Sequence, residues 1–281
     1  MGNGDPNQMK ISPVGQEEEL SLAGVWHYKI GADLKKLPSI PKPPEGLNSN
    51  TPTALYNGMI APVIPFTIKG VIWYQGESNH LRAYQYRKLF PTLIANWRDD
   101  WGEGAFPFYY VQIAPFQYED DKSQELREAQ LLALSVPNTG MVVTTDIGNV
   151  RNIHPSNKQE LGRRLALWAL AKNYGKKGLV YSGPIYRNMQ IEGNKIRLFF
   201  DLADNGLVGK GGPLTHFTIA SEDKKFLPAI SLIEDNTILL SCDSIKNPIA
   251  VRFAWSDTAE PNLFNKADLP ASPFRTDNWE E

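Results

Sequence analysis

Two polar blocks in the sequence contain the residue types of a hydrolytic site. The first, QGESN at residues 75–79, directly follows an apolar run. The side-chain amide of Gln75 is the kind of donor that stabilises a developing oxyanion, and Gly76 permits a close backbone approach. Glu77 is a candidate for tying this loop to its neighbours, and Asn79 is a candidate pocket residue, as is Asn57 earlier in the chain.

The second block, DIGNVRNIH at residues 146–154, contains Asp146 and His154. A neutral imidazole can take a proton from a serine hydroxyl when a carboxylate orients its other ring nitrogen. His154 is therefore a candidate general base, and Asp146 is a candidate orienting acid. Two alternatives stay open: His154 as a surface or capping histidine, and Asp146 as a loop cap that bonds its own backbone.

No serine of the chain has the local sequence of an activated nucleophile. Ser78 lacks the G-x-S-x-G setting of a nucleophile elbow, and nothing around Ser12 prepares it for attack. We therefore identify no nucleophile from the residues.

The elements that must position these blocks alternate between strand and helix patterns. Strands are predicted in GVIWYQ, FPFYYVQIAPF and GMVVTTDIG, and a helix is predicted after each of them. Three such units predict a parallel sheet, in which ligands bind beyond the carboxyl ends of the strands. Both polar blocks lie beyond such ends, so we expect them to converge on one crevice.

Finer features of these elements are also predicted. The continuous apolar run GVIWYQ is typical of a strand that is covered on both faces. Pro91 predicts a kink or a fresh start within the first helix, in which an apolar stripe includes Phe90 and Ile94. Ser156 and Gln159 have the spacing of a capping box at the start of the third helix.

The remainder of the chain has a different pattern. Residues 1–54 are predicted to be a polar lead-in and a proline-rich connection, with a short strand in GVWHYKIG, and residues 55–183 carry the α/β pattern. Short β-type runs separated by turn residues follow, and they predict a small β-sandwich domain over residues 184–281.

Composition limits the function classes. The chain has 281 residues, 42% of them hydrophobic, 21% of them charged, and a net charge of −2, which argues against a nucleic-acid surface. No apolar run reaches the roughly 18 residues of a membrane span. A lone cysteine, Cys242, permits no internal disulfide. The first residues lack the apolar core of a secretory signal, and the compartment stays open.

These blocks and their surroundings resemble bacterial sialate O-acetylesterase-like proteins of the SGNH-hydrolase superfamily, which are close to the acetyl-xylan esterases of carbohydrate esterase family six. The resemblance rests above all on WYQGES and IHP, and it extends from about Leu20 to NLFNKADLPASPFRTDNW. It implies a flavodoxin-like three-layer α/β fold and a serine esterase that removes acetyl groups from sugar hydroxyls without a metal or other cofactor. His154 matches the family's base, and Gln75 matches its oxyanion amide.

The sequence departs from the family pattern at two points. The position three residues before His154, where the superfamily has its acid, is Arg151, which cannot accept a hydrogen bond. No G-Q-S-N block with the family's nucleophile occurs in the 281 residues. We therefore expect a portion of an esterase that lacks the first strands of the sheet and is inactive or weak by itself.

The expected partners follow from this interpretation. They are an acetylated carbohydrate of the sialic acid or xylan type and a separate N-terminal half that carries the nucleophile. An alternative from another class is a non-catalytic carbohydrate-binding remnant. Family members are often periplasmic or secreted.

Overall fold

The computed structural model describes residues 10–11, 20–21, 46–48 and 50–279. The chain forms two compact units, Met1–Phe66 and Thr67–Glu281. The strand predicted in GVWHYKIG and most of the proline-rich connection lie outside the described residues.

The elements in the described residues of the first unit are short. Strand β1 (Lys10–Ile11) pairs antiparallel with β2 (Leu20–Ser21). A π-helical turn at Tyr56–Ile60 continues into a 3₁₀ turn at Ala61–Val63. Asn57 lies in the π-helical turn, and its side chain is exposed.

The second unit begins with a parallel sheet. Its strands are β3 (Val71–Trp73), β4 (Phe108–Val111) and β5 (Thr139–Val142), with β4 in the middle. The three helices of this part are α1 (Ala83–Trp101), α2 (Ser123–Leu132) and α3 (Lys158–Lys172). The predicted α/β class with a parallel sheet is confirmed, whereas the flavodoxin-like layering and the absence of earlier strands stay predictions.

The two faces of the parallel sheet pack against different helices. Phe108 and Tyr110 of β4 lie in one apolar cluster with residues of α1 and α2. Tyr109 and Val111 lie in another cluster with Leu161 and other residues of α3. This alternation follows from the two-residue period of a strand, and it makes β4 the buried centre of the sheet.

Strand β3 differs from the prediction that it is covered on both faces. The side chain of Ile72 is 70% exposed, although Val71 and Trp73 pack against the cluster of α1 and α2. The physical reason is position: β3 is an edge strand whose only partner in the described part of the chain is β4. Helix α3 packs on β4 and β5 and leaves Ile72 open.

Two predictions about helix starts are also wrong. Helix α1 is one continuous helix through Pro91, so no new helix starts there, because the buried stripe with Phe90 and Ile94 holds the residues on both sides of the proline. The alternative of a kink at Pro91 stays a prediction. The cap of α3 is Asn157, whose side-chain oxygen accepts a hydrogen bond from the Glu160 amide at 3.1 Å. This pair has the same spacing as the predicted Ser156 and Gln159, shifted by one residue, and asparagine is an equally good cap.

Residues after 184 form antiparallel sheets. The strands are β6 (Ile185–Glu192), β7 (Lys195–Asp201), β8 (Leu207–Gly209), β9 (Phe217–Ala220), β10 (Leu227–Pro228), β11 (Ile230–Glu234), β12 (Thr237–Ser241), β13 (Ala250–Phe253), β14 (Leu263–Asn265) and β15 (Phe274–Arg275). Two four-stranded sheets have the orders β11–β12–β7–β6 and β10–β9–β13–β15, and β8 pairs with β14. Both four-stranded sheets contribute to one apolar core. The domain boundary at residue 183 and the sandwich domain stay predictions.

A fully buried arginine joins the α/β part to the antiparallel part. The guanidinium of Arg127 on α2 donates to the carbonyl oxygens of Ile113 at 3.1 Å and Ala114 at 3.3 Å, just after β4. It also donates to the carbonyl oxygens of Ser256 and Asp257, both at 2.8 Å. One side chain therefore fixes the end of the central strand against a loop of the antiparallel part.

Candidate active site

The QGESN block forms a tight loop at the carboxyl end of β3. The indole N–H of Trp73 donates to the Gln75 carbonyl oxygen at 3.2 Å, and the Asn79 amide donates to the Gly76 carbonyl oxygen at 2.8 Å. A 3₁₀ segment, Glu77–Arg82, follows directly. These two hydrogen bonds hold the loop in place. The Gln75 side chain stays exposed, so its amide is accessible to a ligand.

Gly76 is required by its backbone and by its surroundings. Any other residue at this position would be strained by the φ of +155°. A Cβ atom there would also lie 3.2 Å from the Tyr86 hydroxyl oxygen and 3.3 Å from Nε2 of Gln130. The buried Gln130 side chain accepts from the Ile113 amide at 2.9 Å and donates to the Val111 carbonyl oxygen at 3.2 Å. The loop after β3 therefore rests directly on the end of β4.

Three tyrosines surround Glu77. Burial raises the pKa of Tyr74 and of Tyr86 to about 12, and the negative charge of Glu77 contributes to both shifts. The pKa of Tyr118 is raised further by burial and by the same carboxylate. The hydroxyls of Tyr74 and Tyr118 are buried and have no hydrogen-bond partner among the residues described. They stay protonated at neutral pH, so each remains a hydrogen-bond donor.

His154 lies in the loop between β5 and α3. Its imidazole is exposed, and its backbone amide donates to the Asn152 side-chain oxygen at 2.9 Å. At the first position of α3, Nζ of Lys158 lies 4.5 Å from the centre of the Tyr74 ring. Lys158 follows His154 by four residues, and Tyr74 directly precedes Gln75. Their contact therefore joins the two loops that contain the predicted base and the predicted oxyanion amide.

Asp146 has a different partner from the one predicted. Its carboxylate accepts two hydrogen bonds, at 2.7 and 2.6 Å, from the Arg164 guanidinium on α3. Arg164 is buried and also donates to Glu160 at 2.8 Å. Within the described ranges, no hydrogen bond joins Asp146 to the His154 imidazole, so its role as orienting acid stays a prediction. Sequence reasoning missed Arg164, although its i,i+4 spacing from Glu160 was available as a signal.

The remaining candidates are Ser78, Ser12 and Asn57. Ser78 is exposed, and its carbonyl oxygen accepts from Arg82 at 3.3 Å. Ser12 lies outside the described residues, and Asn57 lies in the other compact unit, so its pocket role stays a prediction. Among the residues described, no group of three or more acidic, histidine or cysteine side chains is arranged to hold a metal ion. No helix in that same part has the length and apolar character to cross a membrane.

Comparisons with known proteins give consistent results. Residues 47–171 match the family described as carbohydrate esterase, sialic acid-specific acetylesterase. The chain is 31% identical over 252 residues to the sialate O-acetylesterase of Homo sapiens, a match that covers 79% of this chain and 48% of the relative. It is 30% identical over 255 residues to the Rattus norvegicus enzyme, covering 80% and 47%.

A solved structure is similar as well. It is described as a novel carbohydrate acetylesterase from Xanthomonas citri, with 43% sequence identity and a TM-score of 0.76. The match covers 80% of this chain and 54% of that one. The chain thus spans about half the length of the curated relatives that it matches.

Proposed function

Because this chain is sialate O-acetylesterase-like, we propose that it forms part of a carbohydrate O-acetylesterase, which hydrolyses the acetyl ester on a sugar hydroxyl. The observation that carries the proposal is the placement of the Gln75 loop and the His154 loop. Both follow carboxyl ends of one parallel sheet and are joined through Lys158 and Tyr74. Ligands of such sheets bind at this edge.

The residues have distinct roles in the reaction. His154 takes the proton of a serine hydroxyl while its oxygen attacks the acetyl carbonyl carbon, and it then returns the proton to the departing sugar oxygen. The Gln75 amide and the Gly76 backbone amide donate to the oxyanion. Water then attacks the acetyl-serine carbonyl carbon while His154 takes a proton from the water. The acetyl–serine bond breaks, His154 returns the proton to the serine oxygen, and acetate is released. For Asp146 to orient His154, its carboxylate would have to accept a hydrogen bond from the imidazole in addition to those from Arg164.

The catalytic serine, in this proposal, is supplied by a separate N-terminal half. The absence of a G-Q-S-N block from the sequence supports this, as does the open edge of the sheet at Ile72. An added parallel strand beside β3 would bury Ile72 and end next to Gln75. By itself, the chain would then show at most a weak residual rate.

We propose O-acetylated sialic acid as the substrate. The support is the description of the matched family and the names of the curated relatives. Acetylated xylan is the competing substrate, and it differs by lacking the sialic acid carboxylate. Release of acetate from O-acetylated sialic acid and from acetylated xylan, measured side by side, separates the two.

A fluorophosphonate probe tests the proposal, because it reacts with a serine that a nearby base activates. The purified chain should remain unlabelled alone. It should support labelling and acetate release when mixed with the part of the Xanthomonas citri acetylesterase that it does not match. A matched His154→Ala chain should abolish both.

Peptide mass spectrometry identifies the labelled serine. A labelled serine within the 281-residue chain would refute the separate nucleophile. Saturable binding of acetylated sugar without acetate release from any mixture would favour the carbohydrate-binding alternative.

A further inference from the structure

A second histidine lies in the loop that contains Gln75. His80 is the fourth residue of the 3₁₀ segment Glu77–Arg82, at the carboxyl edge of the sheet. Its Nδ1 atom lies 3.0 Å from the carbonyl oxygen of Glu77. A carbonyl oxygen can only accept a hydrogen bond, so Nδ1 is the protonated nitrogen and Nε2 of the neutral ring carries a free lone pair.

The ring of His80 is also held in place. It stacks on Tyr118 with a centroid distance of 4.2 Å and an interplanar angle of 28°. Tyr118 is itself fixed edge-on against Phe116 at 4.9 Å. Two independent contacts, one at Nδ1 and one on the ring face, therefore set the orientation of the imidazole before any ligand binds.

The free nitrogen is directed away from the contact that fixes the ring. Nδ1 and Nε2 lie on different sides of an imidazole, so Nε2 does not face the Glu77 carbonyl oxygen. The His80 side chain is only partly buried, whereas the neighbouring tyrosine hydroxyls, such as that of Tyr118, are donors. His80 therefore supplies an oriented acceptor beside the Gln75 loop.

We infer that His80 is a substrate-binding residue of this site, whose Nε2 atom accepts a hydrogen bond from a free hydroxyl of the acetylated sugar. This inference rests on the proposed function. A sugar that carries an acetyl ester presents both an ester carbonyl, for the Gln75 amide, and neighbouring hydroxyl donors. The Gln75 amide and the His80 acceptor together favour a ligand that has both an ester carbonyl and a nearby free hydroxyl.

The first test does not depend on the proposed function. A long-range ¹H–¹⁵N spectrum of the full chain should show the neutral His80 ring protonated at Nδ1 and bare at Nε2. The opposite tautomer would overturn the inference while leaving the esterase proposal intact.

The second test measures binding of the methyl glycoside of O-acetylated N-acetylneuraminic acid to the full chain. His80→Phe keeps a ring for Tyr118 but has no acceptor, and it should weaken binding about three- to tenfold, the range of one neutral hydrogen bond. His80→Gln loses the ring but returns an acceptor oxygen, and it should recover most of the affinity. His216→Gln, on the antiparallel part, is the matched control and should bind as the unmodified chain does.

The outcomes separate the two proposals. If the unmodified chain binds the glycoside and His80→Phe binds equally well, the role of His80 is refuted. If His80→Gln is as weak as His80→Phe, an acceptor at this position does not restore binding, and the inference also fails. If the unmodified chain does not bind the glycoside, the proposed substrate fails together with the role of His80, whatever tautomer the spectrum shows.

Discussion

Replacing Arg127 by methionine should strongly destabilise the second compact unit. Methionine has a similar length and fills the buried space with an apolar chain. It cannot donate to the four carbonyl oxygens, of Ile113, Ala114, Ser256 and Asp257, that the guanidinium now satisfies. These carbonyls lie at the end of β4 and in a loop of the antiparallel part, so the substitution removes the Arg127 contacts between the two and leaves others, such as that of the Ser123 amide with Asp257 at 2.7 Å, in place.

The magnitude follows from two opposing terms. A hydrogen bond to a charged group contributes about 1.5–3 kcal/mol, so four bonds would give roughly 6–12 kcal/mol if they were additive. Burial lowers the pKa of Arg127 to about 10, and losing a charge that is buried at this cost recovers about 3 kcal/mol. The difference is about 3–9 kcal/mol if the four bonds are additive. Because neighbouring bonds to one group are not additive, we expect the free energy of unfolding to fall by about 3–5 kcal/mol, similar to the loss of one partner of a buried ion pair.

Urea unfolding followed by tryptophan fluorescence and by circular dichroism measures this loss. Arg163→Met is the matched control, because Arg163 makes an exposed ion pair with Glu160, which should contribute at most about 1 kcal/mol. The two optical signals should separate for Arg127→Met, since the α/β part and the antiparallel part lose two of the hydrogen bonds that join them. Equal stability of the two variants, with coincident transitions, would refute the reasoning.

Three further predictions concern single groups. The Arg163 hydrogen bond lowers the pKa of Glu160 to about 2, so Glu160→Gln should lower the free energy of unfolding by about 1 kcal/mol at neutral pH after solvent screening. This loss of stability should shrink as the pH falls from about 4.5 towards 2. A loss that stays constant in urea titrations across this pH range would contradict the prediction. Gly140→Ala places a Cβ atom 2.5 Å from the Trp168 ring and should cost about 1–3 kcal/mol by overpacking, with a shifted tryptophan emission spectrum; unchanged stability and emission would argue against this packing. Tyr118→Phe removes a buried hydroxyl that has no partner in the described part of the chain, so thermal unfolding should show no loss of stability, and a loss above about 1 kcal/mol would reveal a missed partner.

The order of the strands and helices was predictable because it depends on local periodicity. Short apolar runs indicated β3, β4 and β5, and the period-3.6 pattern indicated their helices, while turn residues indicated where these elements end. The exposure of Ile72 was not predictable, because an apolar run does not reveal whether a neighbouring strand is present. The shift of the cap from Ser156 to Asn157 was equally hidden, since both residues favour that position.

The candidate site was predictable only as a set of residue types at one edge of the sheet. The sequence placed Gln75 and His154 beyond strand ends, which the structure shows. It did not reveal that Arg164, eighteen residues away, binds Asp146, or that the His80 ring stacks on Tyr118. Such pairs depend on how helices and loops lie on the sheet, and they leave no fixed spacing in the sequence.

The Gln75 loop and the His154 loop leave the sheet from its two outer strands, with β4 between them. The spacing of hydrogen-bonded strands is about 4.8 Å, so the first residues of the two loops lie about 10 Å apart. Backbone hydrogen bonds set this width, and side-chain substitutions cannot alter it. Insertions within the loops can still change the depth of the proposed crevice and the residues that cover it. Divergence among relatives should therefore vary the depth of the crevice and the groups that line it, while its breadth stays constant.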